Sequence, residues 1–263
     1  MDTKKIQLVT FDLDGTMLDD EWAHAEANRR LGVKLGVDHT RLGRLTGYSV
    51  RKRWEELCRL AGVEADIEEI AREHFDITLE IVKAEGIPEA PGLTPTLQAL
   101  RERGYRMAIV SSSDESFVRA VADYLGVTSY IDFFVTQNQV KNLKPAPDIY
   151  RYALAQAGVS ADCAVGVEDS EPGTLALHRA EMFTVGFLNE GKNHQVLEQT
   201  DAQIQRMDQL LPLLEQLEKD SAPNQATVKP ASRPVLFLLE KTITCAVYSK
   251  QTPRVWKVFS KSR

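Results

Sequence analysis

The apolar and polar positions divide the chain into a first strand, a helical block and a later alternating region. Residues 6–11 form a short apolar run, which predicts a buried strand that ends just before Asp12. Apolar side chains then recur at roughly helical spacing in residues 21–36 and 38–87. A group of prolines and glycines at 88–95 ends this helical pattern. The first strand is therefore followed by a predicted helical insertion.

Beyond the insertion, apolar runs of strand length alternate with segments of helix length. The predicted strands are 105–110, 133–136, 163–167 and 182–187, and the predicted helices between them are 114–125, 147–157 and 173–180. Alternation of this kind predicts a parallel sheet with helices on both faces. The predicted fold class is therefore α/β: a Rossmann-like, doubly wound parallel sheet core with an inserted all-α cap domain.

These elements organise the chain as a core with one insertion and one C-terminal extension. The predicted boundaries are 1–16 and 88–218 for the core, 17–87 for the helical cap, and 219–263 for the extension. The extension contains four of the 11 prolines and does not continue the strand–helix alternation. We interpret 219–234 as a linker and the remainder as a tail of unknown order, in which the apolar run 235–239 could form a strand.

Composition and charge narrow the classes of function. A hydrophobic content of 43% with 27% charged residues is ordinary for a globular protein. Since the sequence contains no apolar run of about 20 residues, we expect no membrane association. The net charge of −6 combines a segment of +7 after residue 220 with −13 in the preceding residues. An acidic body argues against nucleic-acid binding as the main task, and an anionic substrate would need a metal or positioned cations.

The cysteines and histidines indicate a reducing compartment and no zinc site. Cys58, Cys163 and Cys245 lie far apart and form neither a disulfide framework nor a metal-ligand spacing. The five histidines are equally scattered, which makes zinc chemistry unexpected. The N-terminal residues lack the long apolar stretch of a signal peptide. We therefore expect a cytoplasmic protein.

Polar residues follow the first two predicted core strands where each strand ends. Asp12 and Asp14 come directly after the first strand, and Gly15 lets the chain turn sharply there. Ser111, Ser112 and Ser113 follow the strand 105–110. Serine hydroxyls and backbone N–H groups at the start of a helix can bind an anion, although Ser112 could instead cap the helix in a capping box with Glu115.

Two further groups of polar residues complete the predicted site. Lys144 precedes two prolines that stiffen its loop, and it could neutralise a phosphate or a carboxylate. Glu168 and Asp169 follow the strand 163–167. Because sites of parallel sheets lie at the carboxyl ends of the strands, these acids would face Asp12 and repel it without a cation. Magnesium, which prefers oxygen ligands, fits such a group beside a phosphate substrate.

The four groups together resemble the haloacid dehalogenase superfamily. The resemblance runs from Val9 to about residue 180 and includes the order and spacing of all four motifs. Motif I resembles Phe-Asp-Leu-Asp-Gly-Thr at 11–16, motif II Ser111, motif III Lys144, and motif IV Glu168-Asp169. The helical insertion between motifs I and II is similar to the α-helical cap of the β-phosphoglucomutase and sugar-phosphate phosphatase branch.

The resemblance implies a phosphatase, that is, a phosphoric monoester hydrolase. Asp12 would be the nucleophile and would form an aspartyl-phosphate. Asp14 would protonate the leaving oxygen and then activate water. Ser111 and Lys144 would hold the phosphoryl oxygens, with help from backbone N–H groups near Leu13 and Ser112.

The same resemblance implies a Mg²⁺ cofactor. Asp169 would bind the metal directly, with Glu168 in direct contact with it or one layer behind. Asp12 would also contribute a ligand, and Asp14 would do so through its backbone carbonyl.

The cap is expected to select the substrate, a small phosphorylated metabolite. Residues 45–51 resemble a substrate-facing loop, in which Thr46 and Gly47 would contact the substrate. Arg51 could bind a distal anionic group or lie on the surface as the first turn of a helix. His24, early in the cap, resembles a histidine that helps gate proton transfer in this branch.

Three functions are open from the sequence. The first is a phosphatase acting on a sugar phosphate or related metabolite, as a monomer or weak homodimer. The second is a sugar phosphomutase, although Thr46 and Val50 stand where mutases of this branch often have Lys and Arg. The third is a non-catalytic binding protein that recruits partners through its basic tail.

Overall fold

A computed structural model describes residues 6–42, 49–220, 235–239 and 242–246 of the protein. The strands are β1 (Leu8–Phe11), β2 (Arg106–Val110), β3 (Phe133–Val135), β4 (Ala164–Glu168), β5 (Phe183–Phe187), β6 (Ala202–Ile204), β7 (Val235–Leu239) and β8 (Thr242–Ala246). The helices are α1 (Glu21–Leu35), α2 (Val50–Ala61), α3 (Ile67–Glu85), α4 (Leu93–Glu102), α5 (Glu115–Tyr124), α6 (Asp148–Ala157), α7 (Glu171–Arg179) and α8 (Leu210–Asp220).

The strands form one sheet in the order β3-β2-β1-β4-β5-β6-β7-β8. The strands from β3 to β6 in this order are parallel, and β7 continues the sheet parallel to β6 while β8 pairs antiparallel to β7. Strand β1 is buried throughout, as a central strand covered on both faces must be. Its last residue, Phe11, lies between Ile109 and Val167, so the chain leaves three adjacent strands at the same edge.

Helices cover both faces of the sheet, which confirms the predicted fold class. On one face, α4, α5 and α8 contribute buried side chains such as Leu97, Val118 and Leu213. On the other face, α6 and α7 bury Ile149 and Leu177 against the sheet. Burying apolar surface on both faces is the main stabilising contribution to such a fold.

Helices α1, α2 and α3 lie between β1 and β2 in the chain and share an apolar cluster of their own. This cluster includes Leu31, Trp54, Leu57 and Ile70. The predicted helical insertion is therefore confirmed, with one correction. Residues 38–87 do not form one continuous helical stretch: they contain two separate helices, α2 and α3, with a turn between them.

Local backbone chemistry explains that interruption. Helix α2 is followed by Gly62, whose φ of 67° lies in the left-handed region that favours glycine and ends the helix. Helix α3 is capped at its start by Asp66, whose carboxylate accepts hydrogen bonds from the N–H groups of Glu68 and Glu69. An apolar period of 3.6 residues persists through both helices, so the period alone does not reveal the break.

The C-terminal part departs from the sequence prediction at strand β6 and at the end of helix α8. Strand β6 was not predicted because three residues are too few to show an alternating pattern. Helix α8 continues to Asp220, past the predicted start of the linker at 219. The apolar run 235–239 of the predicted tail is strand β7, as the prediction allowed, while residues 221–234 of the predicted linker lie outside the described residues. Within the described residues, no helix has the length and apolarity needed to cross a bilayer.

Candidate active site

The carboxyl ends of β1, β2 and β4 bring three of the four predicted groups to one place. Asp12 follows β1 and donates its backbone N–H to the carbonyl oxygen of Val167, at 3.0 Å. Ser111 follows β2, and Glu168 is the last residue of β4. Because parallel strands point their carboxyl ends the same way, residues distant in sequence meet at this edge.

Lys144 joins this group from the loop before α6 and is almost fully buried. Its Nζ donates a short hydrogen bond to Oδ1 of Asp12 and another, 2.9 Å long, to the carbonyl oxygen of Val110. It also lies 2.6 Å from Oε1 of Glu168. Burial works against the charged form, but the Asp12 and Glu168 carboxylates outweigh it and raise the pKa of Lys144. Lys144 is therefore a buried cation held between two acids.

Tyr150, in the first turn of α6, was missed by the sequence analysis. Its hydroxyl donates to Oε1 of Glu168 at 2.7 Å, and the ring lies beneath Nζ of Lys144, 5.2 Å from the ring centroid. Tyr150 and Lys144 thus share one carboxylate oxygen. A tyrosine in an apolar helix pattern is typical of a core residue, so the sequence carries no separate signal for this contact.

The acids Asp12, Glu168 and Asp169 form a group that could hold a metal ion. Their carboxylate oxygens lie within 4.8 Å of one another. Burial, followed by the neighbouring Glu168 charge, raises the pKa of Asp12. Burial and the charges of Asp12 and Glu168 likewise raise the pKa of Asp169. A divalent cation with oxygen ligands would relieve this repulsion, so the donor set fits such an ion.

Gly15 makes room for the Asp169 carboxylate. Its φ is +79°, in the left-handed region. A Cβ atom at this position would lie 2.3 Å from Oδ2 of Asp169, too close for non-bonded atoms, so the carboxylate would have to move. Thr16 donates its hydroxyl to Oδ1 of the same carboxylate at 3.0 Å. The predicted role of Gly15 in the turn is confirmed, and its second role is to admit Asp169.

We expect Gly15→Ala to destabilise the protein by about 2 kcal/mol or more, because the left-handed backbone costs about 1–2 kcal/mol and the new methyl displaces Asp169. Gly36→Ala is the matched control: Gly36 has a φ of 66°, but a Cβ there would meet no atom within 4 Å. Urea denaturation of both variants separates the backbone cost from the clash. Equal losses in the two variants would show that the Asp169 contact contributes nothing.

Asp14 lies on the other side of the site and accepts several hydrogen bonds. Ser113 donates to its Oδ2 at 2.7 Å, and Ser111 donates to the same oxygen at 3.2 Å. Nε2 of His24 lies 3.4 Å from Oδ1. Burial alone would raise the pKa of Asp14, but the hydrogen bonds from His24 and Ser113 outweigh it and lower the pKa to about 2.

His24 connects Asp14 to two residues that the sequence analysis missed, Asp20 and His74. Nε2 of His24 lies 3.6 Å from Oδ2 of Asp20, and its Nδ1 lies 3.0 Å from Nε2 of His74. Burial would lower the pKa of His24, but contacts with Asp14 and Asp20 raise it to about 10. The pKa of His74 is lowered by burial and by the charge on His24. His74 lies 50 residues along the chain from His24, so only the fold reveals the pair.

The residue that caps helix α5 is not the serine that the capping alternative predicted. Helix α5 is capped by Asp114, which accepts a hydrogen bond from the backbone N–H of Ser116. The capping box of Ser112 with Glu115 is therefore wrong, because a carboxylate two residues later takes that place. Ser112 is half-buried between Ser111 and Ser113.

Four substrate contacts were predicted in the cap, and the structure describes two of them, His24 and Arg51. Arg51, in the first turn of α2, pairs with Glu68 at 2.6 Å, and both side chains are exposed. Thr46 and Gly47 lie outside the described residues. Of the two cap residues that the structure describes, His24 lies beside a core carboxylate, that of Asp14, and Arg51 pairs within the cap.

The fold and the site together define a class: a doubly wound α/β protein with a buried lysine and clustered carboxylates at the carboxyl ends of its strands. Residues 6–181 match the haloacid dehalogenase-like hydrolases, and the chain belongs to this family.

Two relatives and one solved structure are similar to this chain. The chain is 27% identical over 193 residues to a phosphorylated carbohydrates phosphatase of Thermotoga maritima, which covers 71% of this chain and 89% of that protein. It is 27% identical over 199 residues to a phosphoglycolate phosphatase of Pseudomonas fluorescens, covering 72% of this chain and 71% of that protein. A β-phosphoglucomutase crystal structure from Clostridium difficile has a TM-score of 0.69 at 23% identity, covering 82% of this chain and 98% of that chain. By homology the chain is a phosphatase.

Proposed function

We propose that the protein is a Mg²⁺-dependent phosphatase that hydrolyses a small phosphomonoester, a sugar phosphate, through an aspartyl-phosphate. The observation that carries this proposal is the buried Asp12 carboxylate, bonded to Lys144 and placed beside Glu168 and Asp169. A carboxylate fixed in this way is oriented to attack phosphorus, and the surrounding cations would offset the charge of the phosphoryl oxygens.

In the first half of the reaction, an oxygen of Asp12 bonds to phosphorus while the bond to the leaving oxygen breaks. The leaving oxygen needs a proton, which we assign to Asp14. The contacts of Asp14 lower its pKa to about 2, so it is ionised before substrate arrives. His24, 3.4 Å away and protonated at neutral pH, can pass its proton through Asp14 to the leaving oxygen, which becomes strongly basic as its bond to phosphorus breaks.

In the second half, water attacks phosphorus and releases phosphate from Asp12. Asp14, ionised again after giving up its proton, accepts the proton from that water. Its low pKa makes Asp14 a weak base, but the water becomes strongly acidic as its oxygen bonds to phosphorus in the transition state. Ser111 and Lys144 would hold the phosphoryl oxygens, together with a backbone N–H near Ser112 at the start of α5.

Asp12 and Asp169 are the proposed Mg²⁺ ligands, joined by the backbone carbonyl of Asp14. The oxygen atoms of Glu168 already accept hydrogen bonds from Lys144, Tyr150 and Ser170, which favours Glu168 as the residue that orients Lys144. When bound, Mg²⁺ neutralises part of the negative charge of the phosphate and helps to orient it.

The helical insertion is proposed to act as the cap that selects the substrate, with 17–87 as its extent and 1–16 plus 88–218 as the core. Carbohydrate phosphates are the substrates named for the Thermotoga relative, and this supports a sugar phosphate here. Thr46, Gly47 and Arg51 stay the proposed substrate contacts. We expect no nucleic-acid or membrane partner, a monomer or weak homodimer, and a cytoplasmic location, which the free cysteines Cys58 and Cys163 favour.

Chelation of the metal is expected to abolish activity reversibly. EDTA would leave the mutually repelling acids of Asp12, Glu168 and Asp169 without their cation, and phosphate release should fall at least about a hundredfold. Adding Mg²⁺ in excess of EDTA should restore it. Activity that survives EDTA after gel filtration into metal-free buffer would remove the metal from the proposal.

Phosphate release from a panel of phosphorylated metabolites with Mg²⁺ tests the function itself. Sugar phosphates are expected to be hydrolysed, and phosphoglycolate is included because a relative carries that name. A mutase would instead convert β-glucose 1-phosphate to an isomer without stoichiometric phosphate, which NMR detects. Neither product under any condition would favour the non-catalytic alternative, and removal of residues 221–263 then tests the tail as its partner-binding segment.

A further inference from the structure

Asn193 joins the ends of two neighbouring strands beside the candidate metal group. Its Nδ2 donates to the backbone carbonyl of Asp169 at 2.6 Å, just past the end of β4. The same Nδ2 donates to the carbonyl of Phe187, the last residue of β5, at 2.9 Å. One amide group therefore ties the peptide that carries Asp169 to the adjacent strand.

The orientation of this amide is fixed by all of its neighbours. Two carbonyl oxygens require the NH₂ group on their side, because an amide oxygen there would be repelled by both. Oδ1 of Asn193 accepts the backbone N–H of Gln195 at 2.9 Å. The side chain of Gln195 in turn accepts the N–H of Glu171, at 3.3 Å, in the first turn of α7. Donors and acceptor of Asn193 are thus all used.

The segment that carries Asn193 is itself anchored to the next strand. The N–H of Leu188 donates to the carbonyl of Ile204 at 2.8 Å, and the N–H of Asn193 donates to the carbonyl of Leu188 at 3.2 Å. Glu190 pairs with Arg206 beyond β6. Through these hydrogen bonds, Asn193 fixes the backbone of Asp169 relative to strands β5 and β6.

Asp169 needs such a tether because its own surroundings push its carboxylate away. Asp12 and Glu168 repel it, and its side chain has one hydrogen bond, from Thr16, among those that the described residues make. The carboxylate must also stay in the space left by Gly15. A peptide free to rotate would let the carboxylate leave that space.

We propose that Asn193 is a positioning residue that holds Asp169 in its metal-binding orientation. This inference rests on the proposed Mg²⁺ site. Residues that orient metal ligands from behind commonly change metal affinity by 10–100-fold when they are replaced. The expected effect of losing Asn193 is therefore weaker Mg²⁺ binding, with kcat largely recovered when Mg²⁺ is saturating.

Asn193→Asp is the sharpest test, because it keeps the shape and removes both donors. Calorimetric titration of the substrate-free full chain with MgCl₂ should show the dissociation constant rising about tenfold. The added negative charge alone would tighten Mg²⁺ binding, so the two explanations predict opposite signs. His194→Asp is the matched control: it introduces the same residue and charge at the adjacent, exposed position and should not weaken binding.

Asn193→Ala removes the donors without a charge and should also weaken binding, which keeps the test valid if the aspartate variant does not fold. Thermal unfolding monitors the fold of each variant. Mg²⁺ binding by Asn193→Ala equal to that of the wild type, or by Asn193→Asp as tight as that of His194→Asp, would overturn the positioning role. Failure of the proposed function is separate: it would appear as a wild-type protein that releases no phosphate. A wild type that binds no Mg²⁺ would overturn both.

Discussion

Asp12→Asn is expected to lower phosphate release by a factor on the order of 10⁴–10⁶, the loss typical of removing a catalytic nucleophile. The amide is nearly the same shape as the carboxylate but is a far weaker nucleophile, so no aspartyl-phosphate forms. The fold should survive. Lys144 can still donate to the amide oxygen, and one of three mutually repelling buried acids is gone.

The raised pKa of Asp12 also predicts how Asp12→Asn affects the stability of the protein. Its pKa is raised by burial and by Glu168, which means that the folded protein holds the charged form at a cost. Removing that charge should leave the thermal midpoint unchanged or higher, while activity disappears. A variant that is inactive because it is unfolded would show the opposite change in midpoint.

Asp19→Asn is the matched control, because Asp19 is an exposed carboxylate in the same loop. It should retain wild-type activity. Mass spectrometry of the Asp12→Asn sample excludes residual activity from deamidation back to aspartate. Full phosphate release by a verified Asp12→Asn protein would sink the covalent mechanism and leave only general-base hydrolysis.

The central part of this site could be predicted because it depends on strand order. Asp12, Ser111 and Glu168 each follow an apolar run, and parallel strands bring their carboxyl ends together whatever the details of packing. Lys144 is predictable through its spacing within the family motif. Each of these signals is local in sequence, which is why it survives without knowledge of the tertiary structure.

The contacts that tune the site could not be predicted in the same way. His74 sits in a helix whose apolar pattern gives no reason to single out one buried histidine, and Tyr150 reads as a core residue. Asn193 lies in a polar segment that resembles any loop. Each acts through a partner 18 or more residues away, at distances that only the packed structure sets.

Strand β6 shows the same limit at the level of the fold. It has three residues, and alternation needs about four to be visible. Its place in the sheet comes from pairing with β5, where Ala202 lies opposite Val185. Pairing partners supply what a short sequence pattern lacks.

Lys144→Met should remove both activity and much of the stability of the metal-free protein. Lys144 is the buried cation that faces Asp12 and Glu168, and breaking a buried ion pair by removing one partner costs about 3–5 kcal/mol. Loss of a group that holds the phosphoryl oxygens should lower kcat by about 10²–10³-fold. Urea unfolding in EDTA and phosphate release at saturating Mg²⁺ measure the two effects separately.

The loss of stability should grow with pH. Burial and the Glu168 charge already raise the pKa of Asp12, and Lys144 opposes that rise, so the pKa of Asp12 should rise further without Lys144. The folded state then binds more protons than the unfolded one, so its stability falls as pH rises above the ordinary aspartate value of about 3.9. Added Mg²⁺ should restore part of the stability, because it replaces the missing positive charge.

Lys141→Met controls for the loss of a lysine from the same loop, because Lys141 is exposed. It should change neither unfolding nor turnover. If Lys144→Met unfolds in EDTA at the same urea concentration as Lys141→Met, the three acids do not depend on the lysine for their charge balance. If Mg²⁺ then stabilises the two variants equally, the ion does not occupy the acidic group that Lys144 faces, and the metal assignment fails together with the electrostatic one.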